Sequence, residues 1–185
     1  AEVASGASIT FRVRATDDTG VRRIVFRARG AITFDETVNL AISQPVIEHA
    51  VTIPVPSATA PGVVTLSAEA VDAAGTSSPT TTRPVSVADR TAPASSISSP
   101  QADAAFDPRQ PLAVTVEASD NLALSHVALS VSLPGQPAAL VEQRAIVPPS
   151  TPRSEVFQVT VQPPAVATAL TLRPSARDAS GDEAA

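Results

Sequence analysis

The residues of this 185-residue chain best suited to chemistry are oxygen donors and two histidines. Asp120, Asn121 and Asp178, with Asp89 further back, offer carboxylate and amide oxygens, the hard ligands that calcium takes. A second reading competes with the metal. Asp17, Asp72 and Asp178 each have a glycine three residues on, at Gly20, Gly75 and Gly181. That is the spacing of a turn whose carboxylate accepts backbone N–H groups. The turn reading is favoured, because one local motif explains three aspartates without an ion.

Nucleophilic chemistry finds less support. Ser125 stands beside His126, with Asp120 near in sequence, and these are the residue types of a triad. Neighbouring residues on a strand point to opposite faces, so Ser125 and His126 should not share a proton. Neither G-x-S-x-G nor H-E-x-x-H occurs. His49 takes the inward phase of its strand and reads as a half-buried structural residue. His126 aligns with the outward Arg23 and reads as a surface one. With no Cys, disulfides, thiolate metal sites and cysteine nucleophiles are excluded. The chain reads as no enzyme, with no catalytic residue and no cofactor beyond the calcium candidate.

Composition narrows the partners. Net charge is −5, and all 13 basic residues are Arg. Arg23, Arg27 and Arg29 cluster, but nucleic-acid binding wants a net basic face with aromatic platforms. The five aromatic residues are all Phe, and Phe11, Phe26 and Phe157 take inward phases, which leaves no flat platform for a sugar. No apolar run approaches the length of a membrane span. Ala1 does not open a charged-then-apolar leader, and there is no Met, so the chain reads as processed or as an excerpt.

The elements that must position these residues are strands. Eighteen prolines and a core fraction rich in Ala and Val suit many short strands with frequent turns. Ile9–Asp17 alternates, with Ile9, Phe11, Val13 and Ala15 on one face. Val21–Arg29 follows, with Ile24, Phe26 and Ala28 inward. Glu36–Ile42 reads as a short edge strand, and His49–Val55 alternates with Val51, Ile53 and Val55 inward. Val63–Asp72 buries Val64, Leu66, Ala68 and Ala70, and Thr81–Asp89 closes a first unit.

The chain then repeats itself. Thr65–Gly75, TLSAEAVDAAG, returns as Thr171–Gly181, TLRPSARDASG. Ile9, Val13 and Ala15 return as Leu112, Val116 and Ala118, and Ile24 and Phe26 as Val127 and Leu129. Asp17-Asp18 returns as Asp120-Asn121. The boundary falls at the linker Asp89–Pro93, which gives units 1–90 and 91–185. Ser95–Ser98 is a first strand with no counterpart before Ala1, and Thr81–Asp89 a last strand with no counterpart near Ala185. Unit 1 is therefore expected to lack its first strand and unit 2 its last, as in an array cut at both ends.

About seven strands per unit with turn signals between them imply an immunoglobulin-like sandwich. The A-x-D-A-x-G turn after a late strand and the closing V-x-V-A-D-R-T-A-P resemble tandem bacterial immunoglobulin-like repeats. These occur in large surface proteins, adhesins and non-catalytic parts of secreted enzymes. The resemblance covers nearly the whole chain, although Val64 and Leu66 stand where many sandwiches carry a tyrosine corner. It implies an all-β fold of two tandem sandwiches, outside the cell or on its surface. It implies a spacer or stalk role, with neighbouring repeats of the same chain as partners. The alternatives are a module binding a glycan or a cell-surface protein, and an accessory domain of a secreted enzyme. In such a sandwich Asp89, Asp120, Asn121 and Asp178 gather at one pole of the second unit, an arrangement that resembles the calcium joints of cadherin-like repeats.

Overall fold

The computed structural model describes residues 1–161 and 169–184. The chain divides into two compact units, Ala1–Arg90 and Thr91–Ala185. All regular structure among the described residues is β-strand, and no helix there is long and apolar enough to cross a membrane.

The first unit comprises β1 (Glu2–Ala4), β2 (Ser8–Gly30), β3 (Phe34–Pro54), β4 (Gly62–Asp72) and β5 (Thr81–Ala88), in the order β1-β5-β4-β2-β3. The sequence separates Ile9–Asp17 from Val21–Arg29, and Glu36–Ile42 from His49–Val55. The structure joins each pair into one long strand. The reason lies at Asp17, whose Oδ1 accepts the Thr19 and Gly20 amides at 2.9 Å each and the Thr19 hydroxyl at 2.6 Å. These bonds, the Thr19 hydroxyl foremost, hold the Asp17 carboxyl below its usual range. They kink the chain without reversing it, and the pairing with β3 slips register there.

Each long strand therefore serves two layers. Ser8–Thr16 pairs with Val46–Pro54, while the far half of β2 pairs with the start of β3 on one side and with β4 on the other. Strands that bend from one sheet into another make the corners of sandwiches. One core lies between the layers. Ile24, Phe26, Ala28, Ile53 and Val64 are fully buried in it, and Phe11 meets Phe26 edge to face at 5.5 Å. His49 is half-buried with its ring 5.9 Å from Phe26, the structural position its phase implies. Two members of the Arg cluster, Arg27 and Arg29, are matched within their own sheet. Arg29 binds Asp35 at 2.7 Å and lowers its pKa, and Arg27 reaches Asp35 and Glu69.

The second unit comprises β6 (Ala94–Ser99), β7 (Leu112–Ser119), β8 (Leu124–Ser132), β9 (Ala139–Ser150), β10 (Arg153–Val159), β11 (Thr171–Asp178) and β12 (Glu183–Ala184). They form two sheets, β10-β7-β6 and β12-β11-β8-β9. Val114, Val116, Leu124, Val127, Leu129 and Phe157 are fully buried between them. The Arg144 guanidinium lies 4.6 Å from the Phe157 ring centre while bound to Glu142 and Glu155, a charged cover on that core.

The edge strands differ from the sequence expectation. A last strand does follow β11, as the two-residue β12. In the first unit β1 pairs parallel with β5, whereas β6 pairs antiparallel with β7. No described strand occupies the β6 position in the first unit.

Two phase expectations also change. Ala70 is half-buried, still packed against the first core, and the next residue, Val71, is buried as well, beside the β2–β4 register slip between Val21 and Arg23. Leu66 is 2% exposed, but its counterpart Leu172 is only half-buried at the rim of the second core. Leu66→Ala is accordingly expected to cost about 2–5 kcal/mol. Leu172→Ala should cost less than about 2 kcal/mol, since less packing is lost. Urea unfolding of both variants checks this, and equal losses would contradict the difference in burial.

Candidate metal centre

The second unit brings two of the sequence-predicted oxygen donors together. Asp120 follows the end of β7, and Asp178 is the last residue of β11. One carboxylate oxygen of each lies within 4.8 Å of the other. Two oxygens sharing one calcium at its ordinary 2.3–2.6 Å can stand up to about 5 Å apart, so the pair is within reach of a common ion.

The two side chains are built alike. Asp120 Oδ2 accepts the Leu122 amide at 2.8 Å and the Ala123 amide at 3.0 Å. Asp178 Oδ1 accepts the Gly181 amide at 2.5 Å and the Asp182 amide at 2.8 Å. Each therefore makes the turn that its sequence motif implies. The second oxygen of each is left over. Asp120 Oδ1 and Asp178 Oδ2 are buried and have no hydrogen-bond partner among the described residues. Asp178 is 2% exposed, which makes its orphaned oxygen costly unless a cation or proton meets it. Each turn thus uses one oxygen of its carboxylate and leaves the other without a hydrogen-bond partner among the described residues.

The surroundings fix both groups. The Asp120 amide donates to Thr151 Oγ1 at 2.9 Å. The Ser125 hydroxyl lies 2.6 Å from the Asp178 carbonyl oxygen, and the Ala179 amide donates to the Ala123 carbonyl at 2.8 Å. Sequence reasoning missed Thr151, and it weighed Ser125 only as a nucleophile. Thr151 carries no motif and lies in a Pro-rich stretch. Ser125 was placed by strict alternation, which a bulge breaks here: Leu124 pairs with Asp178 and His126 with Arg177.

That bulge also corrects the expectation for Ser125 and His126, whose Oγ and Nδ1 lie 3.1 Å apart. The Asp178 carbonyl oxygen lies closer to Ser125 Oγ, at 2.6 Å, and so competes with His126 for the single hydroxyl proton.

The other candidates stand as follows. Asn121 is half-buried next to Asp120. Asp89 follows β5 in the first unit, is 5% exposed, and accepts the Ser5 hydroxyl at 3.2 Å. In the first unit Asp72, the counterpart of Asp178, accepts the Thr76 amide at 2.7 Å and is less buried.

No protein-family model and no curated protein sequence matches the chain. Solved structures do. Fibronectin(III)-like modules of Clostridium thermocellum CbhA match at 20% identity and a TM-score of 0.39, over 100% of this chain and 84% of theirs. A tetra-tandem repeat from the extending region of a large adhesion protein matches at 14% identity and a TM-score of 0.45. That match covers 96% of this chain and 48% of the other.

Proposed function

We propose that this chain is a pair of spacer repeats from an extracellular bacterial surface protein or adhesin. One observation carries the reading. TLSAEAVDAAG and TLRPSARDASG occupy corresponding strands, β4 and β11, of two units that each enclose a core of their own. A unit that folds on its own core and recurs in sequence is suited to lengthening a chain by repetition. A strand of about eight residues rises roughly 3.3 Å per residue, so each unit adds on the order of 3 nm. The partners on this reading are neighbouring repeats.

Calcium is the ion we assign to Asp120 and Asp178, with the Asn121 side-chain oxygen as a neighbouring donor. The support is that the two carboxylates each offer an oxygen within 4.8 Å of the other and that each also holds a buried oxygen with no hydrogen-bond partner among the described residues. Bound there, calcium would supply charge neutralisation and cross-link β7 to β11. Asp89 enters as a ligand candidate from the sequence, and Asp89→Asn in a calcium titration decides whether it contributes.

The spacer reading is tested by joining two, four and six units in series and measuring the maximum dimension by small-angle X-ray scattering. A constant increment per added unit is expected. A dimension that stops growing would overturn the reading.

A further inference from the structure

β1 and β5 form a parallel pair, with Glu2 opposite Ser86, Val3 opposite Val87 and Ala4 opposite Ala88. In the second unit every pairing among the described strands is antiparallel. The parallel pair has a directional consequence. Along β5 the chain leaves the first unit running the way it ran in along β1. Tension along the chain therefore pulls β1 backward and β5 forward on a common axis. Evenly spaced bonds between two strands that slide past each other are loaded together. Strands peeled from one end lose the same bonds one at a time. The ends of the pair are reinforced on the same line. The Ser86 amide donates to the Ala1 carbonyl and the Ser5 amide to the Ala88 carbonyl, each at 2.9 Å. Past β5 the Ser5 hydroxyl donates to Asp89 Oδ1 at 3.2 Å, with both residues buried. Arg90 then reaches back to Glu2 at 2.6 Å. Asp89 and Arg90 are thus tied to residues at both ends of β1. The Gly6 amide donates to the Val55 carbonyl and the Val55 amide to the Ala7 carbonyl, which anchors the turn into β2.

We propose that β1, β5 and the segment Asp89–Arg90 form a shear clamp that carries tension across the first unit. The inference rests on the spacer reading, in which load runs along the chain. Forced unfolding is governed by the barrier that the load must cross, not by the equilibrium between folded and unfolded states. The direction of pull therefore changes the resistance of this unit while its stability stays the same. Pulled along the chain, the ladder and the ties from Ser5 to Asp89 and from Glu2 to Arg90 share the load. Pulled so that β1 lifts away from Ala1 onward, each contact meets the whole load in turn.

The chain has no cysteine, so pairs of introduced thiols define the points of pull. Ala1, Thr80 and Ala92 are exposed, and cysteine at these places leaves the core intact. Handles on Ala1→Cys and Ala92→Cys load β1 against β5 in shear. Handles on Ala1→Cys and Thr80→Cys, just before β5, peel the same pair from its Ala1 end. Both are measured in the full chain by force spectroscopy at one loading rate. The first pair is expected to resist a force about twofold or more higher than the second. One urea midpoint shared by both variants assigns the difference to the direction of load. Glu2→Gln with Ser5→Ala cuts both side-chain ties, leaves the ladder, and should lower the first force. Equal forces for the two directions, or a higher force for the second, would overturn the proposal. An unchanged first force in Glu2→Gln with Ser5→Ala would remove Asp89 and Arg90 from the clamp. The scattering series tests the spacer reading by itself, so a constant increment with equal forces would keep the spacer and sink the clamp alone.

Discussion

Millimolar calcium is expected to raise the melting temperature of this chain, and Asp178→Asn to remove the rise. Both halves follow from the division of labour within each carboxylate. The oxygens that accept Gly181, Asp182, Leu122 and Ala123 amides hold the turns whether or not an ion is present. The remaining Asp120 Oδ1 and Asp178 Oδ2 are buried without partners among the described residues, so a cation gains their full charge. Extracellular calcium modules bind at about 10⁻⁴–10⁻³ M. At about 10 mM calcium that range stabilises the folded state by about 1.4–2.7 kcal/mol, through preferential binding to it. In Asp178→Asn the amide oxygen can still accept Gly181 and Asp182, so the turn survives while the charge is lost. In EDTA the variant should melt no lower than the parent, because it relieves repulsion between two buried anions. Calorimetric titration, with melting curves in calcium and in EDTA, measures all of this. No heat and no shift at 10 mM calcium would leave Asp120 and Asp178 as turn residues alone.

Much of this arrangement was legible in the sequence, and what was not has identifiable causes. Alternation found the inward faces of Ile24–Ala28 and Val51–Val55, which are buried as their period implies. It failed at each bulge. An extra residue breaks the alternation of its own strand, and this is how Ser125, between Leu124 and His126, comes within reach of His126. Asp17-Asp18-Thr19-Gly20 has the composition of a reversing turn, yet the chain kinks and continues as one strand. Local propensity specifies the bend, and pairing with β3 and β4 decides where the strand goes. The metal candidates were legible as residue types and turn positions. Which of the two oxygens each turn would use was not, because that depends on the folded backbone around it.

The other large effect is expected at Gly30→Ala. Gly30 ends β2 opposite Val64, with φ at +119°, a region that side-chain-bearing residues rarely enter. A Cβ there would also overlap the Val63 carbonyl oxygen. That oxygen accepts the Ala31 amide at 3.1 Å, so the strand end cannot move aside without losing a hydrogen bond. Two costs therefore add. Strained backbone costs about 1–3 kcal/mol, and forced displacement in a packed region about 1–3 kcal/mol more. The variant should lose about 2–6 kcal/mol. Gly75→Ala separates the two contributions, because Gly75 has φ at +93° but nothing within 4 Å of an added Cβ. It carries strain without overlap and should lose only about 1–2 kcal/mol. Urea unfolding of the two variants gives the comparison directly. If both lose the same amount, the close approach of Gly30 to Val63 contributes nothing, and backbone strain alone explains why glycine stands at both places. If Gly30→Ala loses several kcal/mol more, the close approach of Gly30 to the Val63 carbonyl is what excludes a side chain at the end of β2.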